Sequence, residues 1–171
     1  MFNRDEIVAI VAGTRMLKAV GGIEMAKAAE EALFKIEAVL PEAERARLGK
    51  VSVRAPFRYI PEHVRRALDT IEEATDERRV IRFAYEDANG QQTERDIQPL
   101  GLWFWTNSWT AIGWCRMRKD FRMFRVDRMK HLTVTDETFR LQKGQTLKDL
   151  QDQMIARCEV PPDFDFAGQG F

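Results

Sequence analysis

The sequence predicts an α+β chain in which N-terminal helices precede a small, strongly bent β-sheet or barrel, followed by a C-terminal helix. Three observations carry that prediction. Apolar residues recur at helical spacing up to about Lys50. From Val80 the period changes to two, and six short apolar runs follow one another to Val134 with turn residues between them. After Thr146 the helical period returns. Hydrophobic residues make up 44% of the 171, so a core of useful size can form. The expected boundaries are 1–56 for a helical linker or dimerisation region, 57–140 for a helix plus the β-rich domain, and 141–171 for a C-terminal helix and flexible tail.

Taken in order, Asn3 is the candidate N-cap of the first helix, and Glu6 three residues on completes a capping box. Ile7, Ile10, Val11, Thr14 and Leu17 mark its apolar face, and Gly21-Gly22 ends it. The second helix places Met25, Ala29, Ala32, Ile36, Val39 and Leu40 on one side and Lys27, Glu31 and Lys35 on the other. Pro41 suits the first turn of a short third helix ending near Gly49. Val51 to Tyr59 contains Pro56 and reads as an extended linker or edge strand. Pro61 opens a further helix, with Val64, Leu68, Ile71 and, at its end, Thr75 inward. Arg65, Arg66, Asp69, Glu72 and Glu73 form its outer face.

The strand-like runs are Val80–Tyr85, Gln92–Pro99, Leu102–Trp105, Trp109–Trp114, Phe121–Val126 and Lys130–Val134. Asn89-Gly90 is a hairpin signal between the first two. Thr106-Asn107-Ser108 and Arg118-Lys119-Asp120 supply later turns. Thr146 is an N-cap candidate for a helix with Leu147, Leu150, Met154, Ile155 and Cys158 on one stripe. The Pro- and Gly-containing end from Val160 reads as a poorly ordered tail.

Lys plus Arg equals Asp plus Glu at 27 each, so net charge excludes no partner. No apolar run approaches the ~20 residues of a membrane span, and the N-terminus lacks the pattern of a signal peptide. Cys115 and Cys158 lie outside any C-x-x-C spacing and read as reduced structural thiols. His63 and His131 have no partners at metal-ligand spacing. Nucleophile-elbow, Walker and zinc-protease motifs are absent from the sequence. The expectation is a cytoplasmic protein without cofactor, metal or catalytic activity.

Two stretches carry a family resemblance. The first is Pro99-Leu100-Gly101-Leu102-Trp103-Phe104-Trp105 followed by Ser108-Trp109-Thr110-Ala111-Ile112-Gly113-Trp114-Cys115. The second is Asp120-Phe121-Arg122-Met123-Phe124-Arg125-Val126-Asp127-Arg128-Met129. Together they resemble the WYL domain, whose signature is R-x-F-R-x-D-R-I. The naming tripeptide, Trp-Tyr-Leu, is Trp109-Thr110-Ala111 here. The runs Phe2–Glu6 and Ala28–Pro41 are similar to the segment preceding the WYL domain in YafY-type regulators of the DeoR-like group. The resemblance implies an SH3/Sm-like bent barrel and an effector-sensing role. It also implies that DNA is contacted only through an N-terminal winged helix-turn-helix, which is missing from this sequence.

Candidate site residues follow from charge and alternation. Between Arg116 and Lys130 lie Arg116, Arg118, Lys119, Arg122, Arg125, Arg128 and Lys130, against Asp120 and Asp127. Read alone, these arginines are either a solvated face paired with Asp96, Asp120 and Asp127, or an anion pocket. Strand alternation puts Arg122 with Phe124 and Val126, and Arg125 with Phe121 and Met123, so only one of the two arginines can line a given pocket. Arg125 is favoured, with Arg128 beyond it and Asp127 as the ion pair orienting Arg128. Trp103, Phe104, Trp105, Trp109 and Trp114 are either core or base-stacking residues. Tyr85 and Arg95, on paired strands, could close the pocket. The ligand-binding set is therefore Arg125, Arg128, Arg122, Trp109, Thr110, Arg118, Tyr85 and Arg95.

The expected function is the effector-sensing and dimerisation portion of a bacterial transcription regulator. It would bind a nucleotide-like or other anionic ligand, with a homodimer and no membrane partner. The alternatives are a stand-alone single-stranded nucleic-acid-binding module and a structural dimerisation module without ligand.

Overall fold

The computed structural model describes residues 2–51, 60–87, 89–105, 107–157 and 159. The linker expected at 51–59 falls, beyond Val51, outside the described residues, as do Cys158 and the tail from 160. The chain divides into two compact units, 1–69 and 70–171.

The first unit holds helices α1 (Arg4–Val20), α2 (Ile23–Val39) and α3 (Glu42–Leu48), and the start of α4 (Glu62–Asp76). The expected capping box is present. The Asn3 side chain accepts from the Asp5 and Glu6 backbone at 2.9 and 3.0 Å, and Glu6 accepts from the Asn3 N–H at 2.7 Å. Ile7 and Val11 of α1 are buried in one cluster with Leu40 and Leu48, with Leu33 and Ile36 packed against it.

The face of α2 differs from the expected one. Val39 is 77% exposed and Ala32 also points outward, while Ala26 is buried and Leu33 partly so. At 100° per residue, 26, 29, 33, 36 and 40 form one stripe, and positions 32 and 39 fall beside it.

The α1–α2 turn depends on α4. Asp69 accepts from the Ile23 N–H at 2.8 Å and from the Glu24 N–H at 3.3 Å, and Arg65 Nε donates to the Gly21 carbonyl at 2.9 Å. Arg65 and Asp69, expected on an outward face, therefore cap a neighbouring helix. Asp69 supplies what the N-cap Gly22 lacks, a side-chain acceptor for the first free N–H groups. Gly22 is required because a Cβ there would run into the Asp69 carboxylate. Along α4, Val64, Leu68, Ile71 and Ala74 are buried. Ala74 takes the inward place expected of Thr75, whose hydroxyl donates to the Ile71 carbonyl at 2.7 Å.

The second unit is an antiparallel sheet with one helix on it. Its strands are β1 (Arg79–Glu86), β2 (Gln92–Trp105), β3 (Ser108–Cys115), β4 (Asp120–Arg125) and β5 (Met129–Thr138). The 3-10 turn η1 (Val126–Arg128) joins the last two, and α5 (Leu147–Ala156) follows. The sheet order is β4-β3-β2-β1-β5. The mixed helix and sheet composition agrees with the α+β expectation. Of the expected bent sheet or barrel, the described residues form a sheet that is not closed, with β4 and β5 at its edges. That sheet is nevertheless strongly curled. β1 and β4 are three ladders apart, roughly 14 Å in a flat sheet, yet the rings of Phe83 and Phe124 meet at 5.1 Å between centroids.

Among the described residues the six expected runs form five strands. The runs Gln92–Pro99 and Leu102–Trp105 join through an irregularity at Pro99–Gly101. Pro99 pairs with Gly113, but Gly101 pairs with Ile112, so β2 carries one extra residue there. Before the bulge, Ile97 and Pro99 share a face with Cys115 and Gly113. After it, Trp103 shares a face with Thr110 and Arg125. The face of Ile81, Phe83, Ile97, Ala111 and Phe124 is the interior of the curl, and all five are buried. On the other face Trp103, Ile112 and Phe121 bury against Leu150 and Met154 of α5. Thr146 caps α5 with Asp149 in a second capping box. Among the described residues no helix is long and apolar enough to cross a membrane.

Replacing Asp69 by alanine should cost about 1 kcal/mol in urea-induced unfolding. The Asp69→Asn variant, which keeps an acceptor, should lose less. Equal losses in both variants would show that the cap is not the source of the stability.

Candidate functional site

A cavity of about 340 Å³ opens between the outer face of the sheet and α5, lined by Tyr85, Trp105, Thr110, Met123, Arg125 and Met154. Each comes to it for a local reason. Thr110, Met123 and Arg125 lie on the α5-facing side of β3 and β4, because Thr110 pairs with Arg125 and Ile112 with Met123. Trp105 joins them because the bulge turned the end of β2 over, and its ring lies 5.2 Å from that of Trp103. Met154 descends from α5. Tyr85 comes from β1 because the sheet curls. Its ring stands edge-on to Phe124 at 4.9 Å, and its hydroxyl accepts from the Arg125 backbone N–H at 3.4 Å.

Among the described residues Arg125 is the one charged member of this lining. Its guanidinium is held by Asp127 in a two-pronged pair, Nε to Oδ1 at 3.0 Å and Nη2 to Oδ2 at 2.7 Å. The side chains of both are close to half exposed, at 47% and 43%. The hydrogen bonds from Arg125 hold the Asp127 carboxyl below the usual carboxylate range, against the opposing effect of partial burial. The same bonds raise the Arg125 guanidinium further. Both groups are therefore ionised at neutral pH.

Residues 66–134 match the family model described as the WYL domain. The chain carries a WYL domain. A stretch of 71 residues is 34% identical to the uncharacterized HTH-type transcriptional regulator YobV of Bacillus subtilis (strain 168), covering 42% of this chain and 23% of that protein. Among solved structures, the proteasome accessory factor B/C (PafBC) of Arthrobacter aurescens aligns over 80% of this chain and 21% of its own, at 24% identity and a TM-score of 0.44. The chain thus spans less than a quarter of the length of either relative.

Of the eight candidate residues, the WYL domain brings three to the cavity: Tyr85, Thr110 and Arg125. Arg128 lies partly buried in η1 and is not part of the lining. Arg122 is on the opposite face of β4, exposed, 3.5 Å from Asp120. Arg118 is exposed in the β3–β4 turn. Arg95 reaches the Met117 sulfur at 4.0 Å rather than the cavity. Trp109 is on the other face of β3, its ring 5.1 Å from Phe104. Asp127, expected to orient Arg128, pairs with Arg125 instead. Asp120 and Asp127 do take arginine partners, while Asp96 is bound by Arg82 of the adjacent strand.

Trp105, Met123 and Met154 were missing from the candidate set. Trp105 could have been found only by placing the bulge, and Met154 only by knowing where α5 docks.

The Asp127 shift has a definite sign. Its folded-state value lies below the unfolded one, so its contribution to stability is present above the ordinary Asp value of ~3.9 and is lost as pH falls through the depressed value. A carboxyl-carbon NMR titration should find Asp127 titrating below ~3.9, and Arg125→Ala should return it towards that value. A wild-type Asp127 titrating at the ordinary value would rule the pair out in solution.

Proposed function

We propose that the WYL domain is the ligand-sensing part of a bacterial transcription regulator, and that its ligand is a small anionic, nucleotide-like molecule bound at Arg125. The observation that carries this reading is the open, largely apolar cavity lined by Tyr85, Trp105, Met123 and Met154, with Arg125 as a charged member of its lining. Its volume lies at the low end of the range typical of small-molecule sites. Guanidinium matches the planar, two-oxygen geometry of phosphate and carboxylate, and Trp105 and Tyr85 offer faces for a flat ring. Support from kinship is the WYL match together with the HTH-type regulator among the relatives.

The finer parts of the reading rest on the resemblance of residues 2–6 and 28–41 to YafY-type, DeoR-like regulators. In it the protein is cytoplasmic and homodimeric, its β-rich domain is of SH3/Sm type, and DNA is contacted through a helix-turn-helix domain rather than through these residues. The role is binding, not catalysis. A ligand would act by favouring one of two states of the regulator, which requires unequal affinity for them.

Adenosine monophosphate and a short single-stranded oligonucleotide, titrated against intrinsic tryptophan fluorescence, test the site. Binding of the mononucleotide should weaken by roughly tenfold or more in Arg125→Ala, the loss expected for a hydrogen bond to a charged group. Arg122→Ala, on the other face of β4, should leave it unchanged. If neither probe binds, or Arg125→Ala binds as well as wild type, the site is not the one described.

A further inference from the structure

We propose that the cavity takes a compact ring-bearing or apolar molecule with a single anionic group, and that this group takes over the Arg125 fork that Asp127 now fills. The inference rests on the reading of the cavity as the ligand site and specifies what the site accepts and how it accepts it.

The lining limits the charge of the occupant. Among the described residues Tyr85, Trp105, Met123 and Met154 present rings and thioethers, Thr110 a hydroxyl, and only Arg125 a charge. A polyphosphate or a nucleic-acid strand would bring several charges to one guanidinium. A neutral apolar molecule would leave that guanidinium unused. An apolar body with one anionic group uses the whole lining: rings and sulfur against the body, the fork against the anion.

Asp127 shows the shape of anion that fits. Its two oxygens sit 3.0 and 2.7 Å from Nε and Nη2, a planar carboxylate in two-pronged contact. A ligand anion reaching the same fork competes with it directly. The competition is even-handed because both partners of the internal pair are near half exposed. Water screens the pair, and water also solvates Asp127 once it is released. The ligand adds contacts that an aspartate side chain cannot make, namely those of its body with Trp105 and the methionines. The Tyr85 hydroxyl accepts from the Arg125 backbone and keeps its own proton to donate.

Asp127 lies in η1, the three-residue link between β4 and β5. Exchange of one anion for the other therefore removes the side-chain tie between η1 and the end of β4, while buried Val126 keeps η1 in place.

Two fluorescent probes separate the parts of this proposal. Anilinonaphthalene sulfonate and phenylnaphthylamine share a ring system, and only the first carries an anion. With the full chain, Asp127→Asn should tighten the sulfonate roughly two- to fivefold and leave the neutral probe unchanged. Arg125→Ala should weaken the sulfonate alone. Thermal unfolding of each variant confirms that it is folded.

If Arg125→Ala weakens the sulfonate but Asp127→Asn does not tighten it, the exchange is wrong and the cavity reading stands. If adenosine triphosphate displaces the sulfonate more effectively than adenosine monophosphate, the single-charge assignment is wrong. If neither probe binds, or Arg125→Ala leaves the sulfonate unaffected, the cavity reading falls and the exchange falls with it.

Discussion

In an antiparallel sheet, one residue added to one strand exchanges the faces of everything that follows it. In β2 the exchange occurs between Pro99 and Gly101. Residues before it, Ile97 and Pro99, fill the inside of the curl. Residues after it, Trp103 and Trp105, stand on the outside. Had β2 run on in register, both tryptophans would have turned to the interior beside Phe83 and Phe124, and α5 would have found no aromatic surface to cover. The bulge therefore underlies the second core layer, the docking of Leu150 and Met154, and one wall of the cavity. Gly113 belongs to the same device. A Cβ at this position would lie 2.8 Å from the Gln98 carbonyl oxygen and from the Ile97 side chain, so only glycine lets β3 approach β2 where it bends.

Charge in this domain is organised in local pairs rather than as a field. Arg82 is tied to Asp96, Arg116 to Glu137, Lys130 to Glu86 and Arg125 to Asp127. Pairs of this kind on exposed strands set register and side-chain direction more than they add stability. The run of basic residues from Arg116 to Lys130 accordingly does not form one continuous positive surface. The pair that matters for the site is set apart by position, because only Arg125 meets a pocket of rings and thioethers.

Local rules read from the sequence served well where a short-range interaction decides the structure. The Asn3–Glu6 capping box and the Thr146 cap rest on residues three apart, and the Asn89-Gly90 hairpin has Gly90 at a φ of 80°, so local spacing locates them. Alternation correctly separated Arg122 from Arg125 and Trp109 from Thr110. What local rules missed are contacts between distant segments. Asp69 caps a helix 46 residues earlier, which no window of sequence shows. Pro99 and Gly101 each disfavour a strand interior when read alone, which separates two runs in the sequence, whereas together they mark a bulge in one continuous strand. The aspartate partner of Arg125 was misjudged for a similar reason. Chain adjacency points to Arg128, but the two-pronged partner of the carboxylate is the Arg125 guanidinium.

The tripeptide for which WYL domains are named places a phenol at the position of Thr110. Here that position lies between Trp103 and Arg125 on neighbouring strands, on the cavity side of the sheet. A tyrosine there would spend its ring inside the space that this chain leaves open, so the small hydroxyl residue makes room as well as polarity. The bulk of this single side chain thus sets how much of the space beside Arg125 stays open, with no change to the strand order or the bulge.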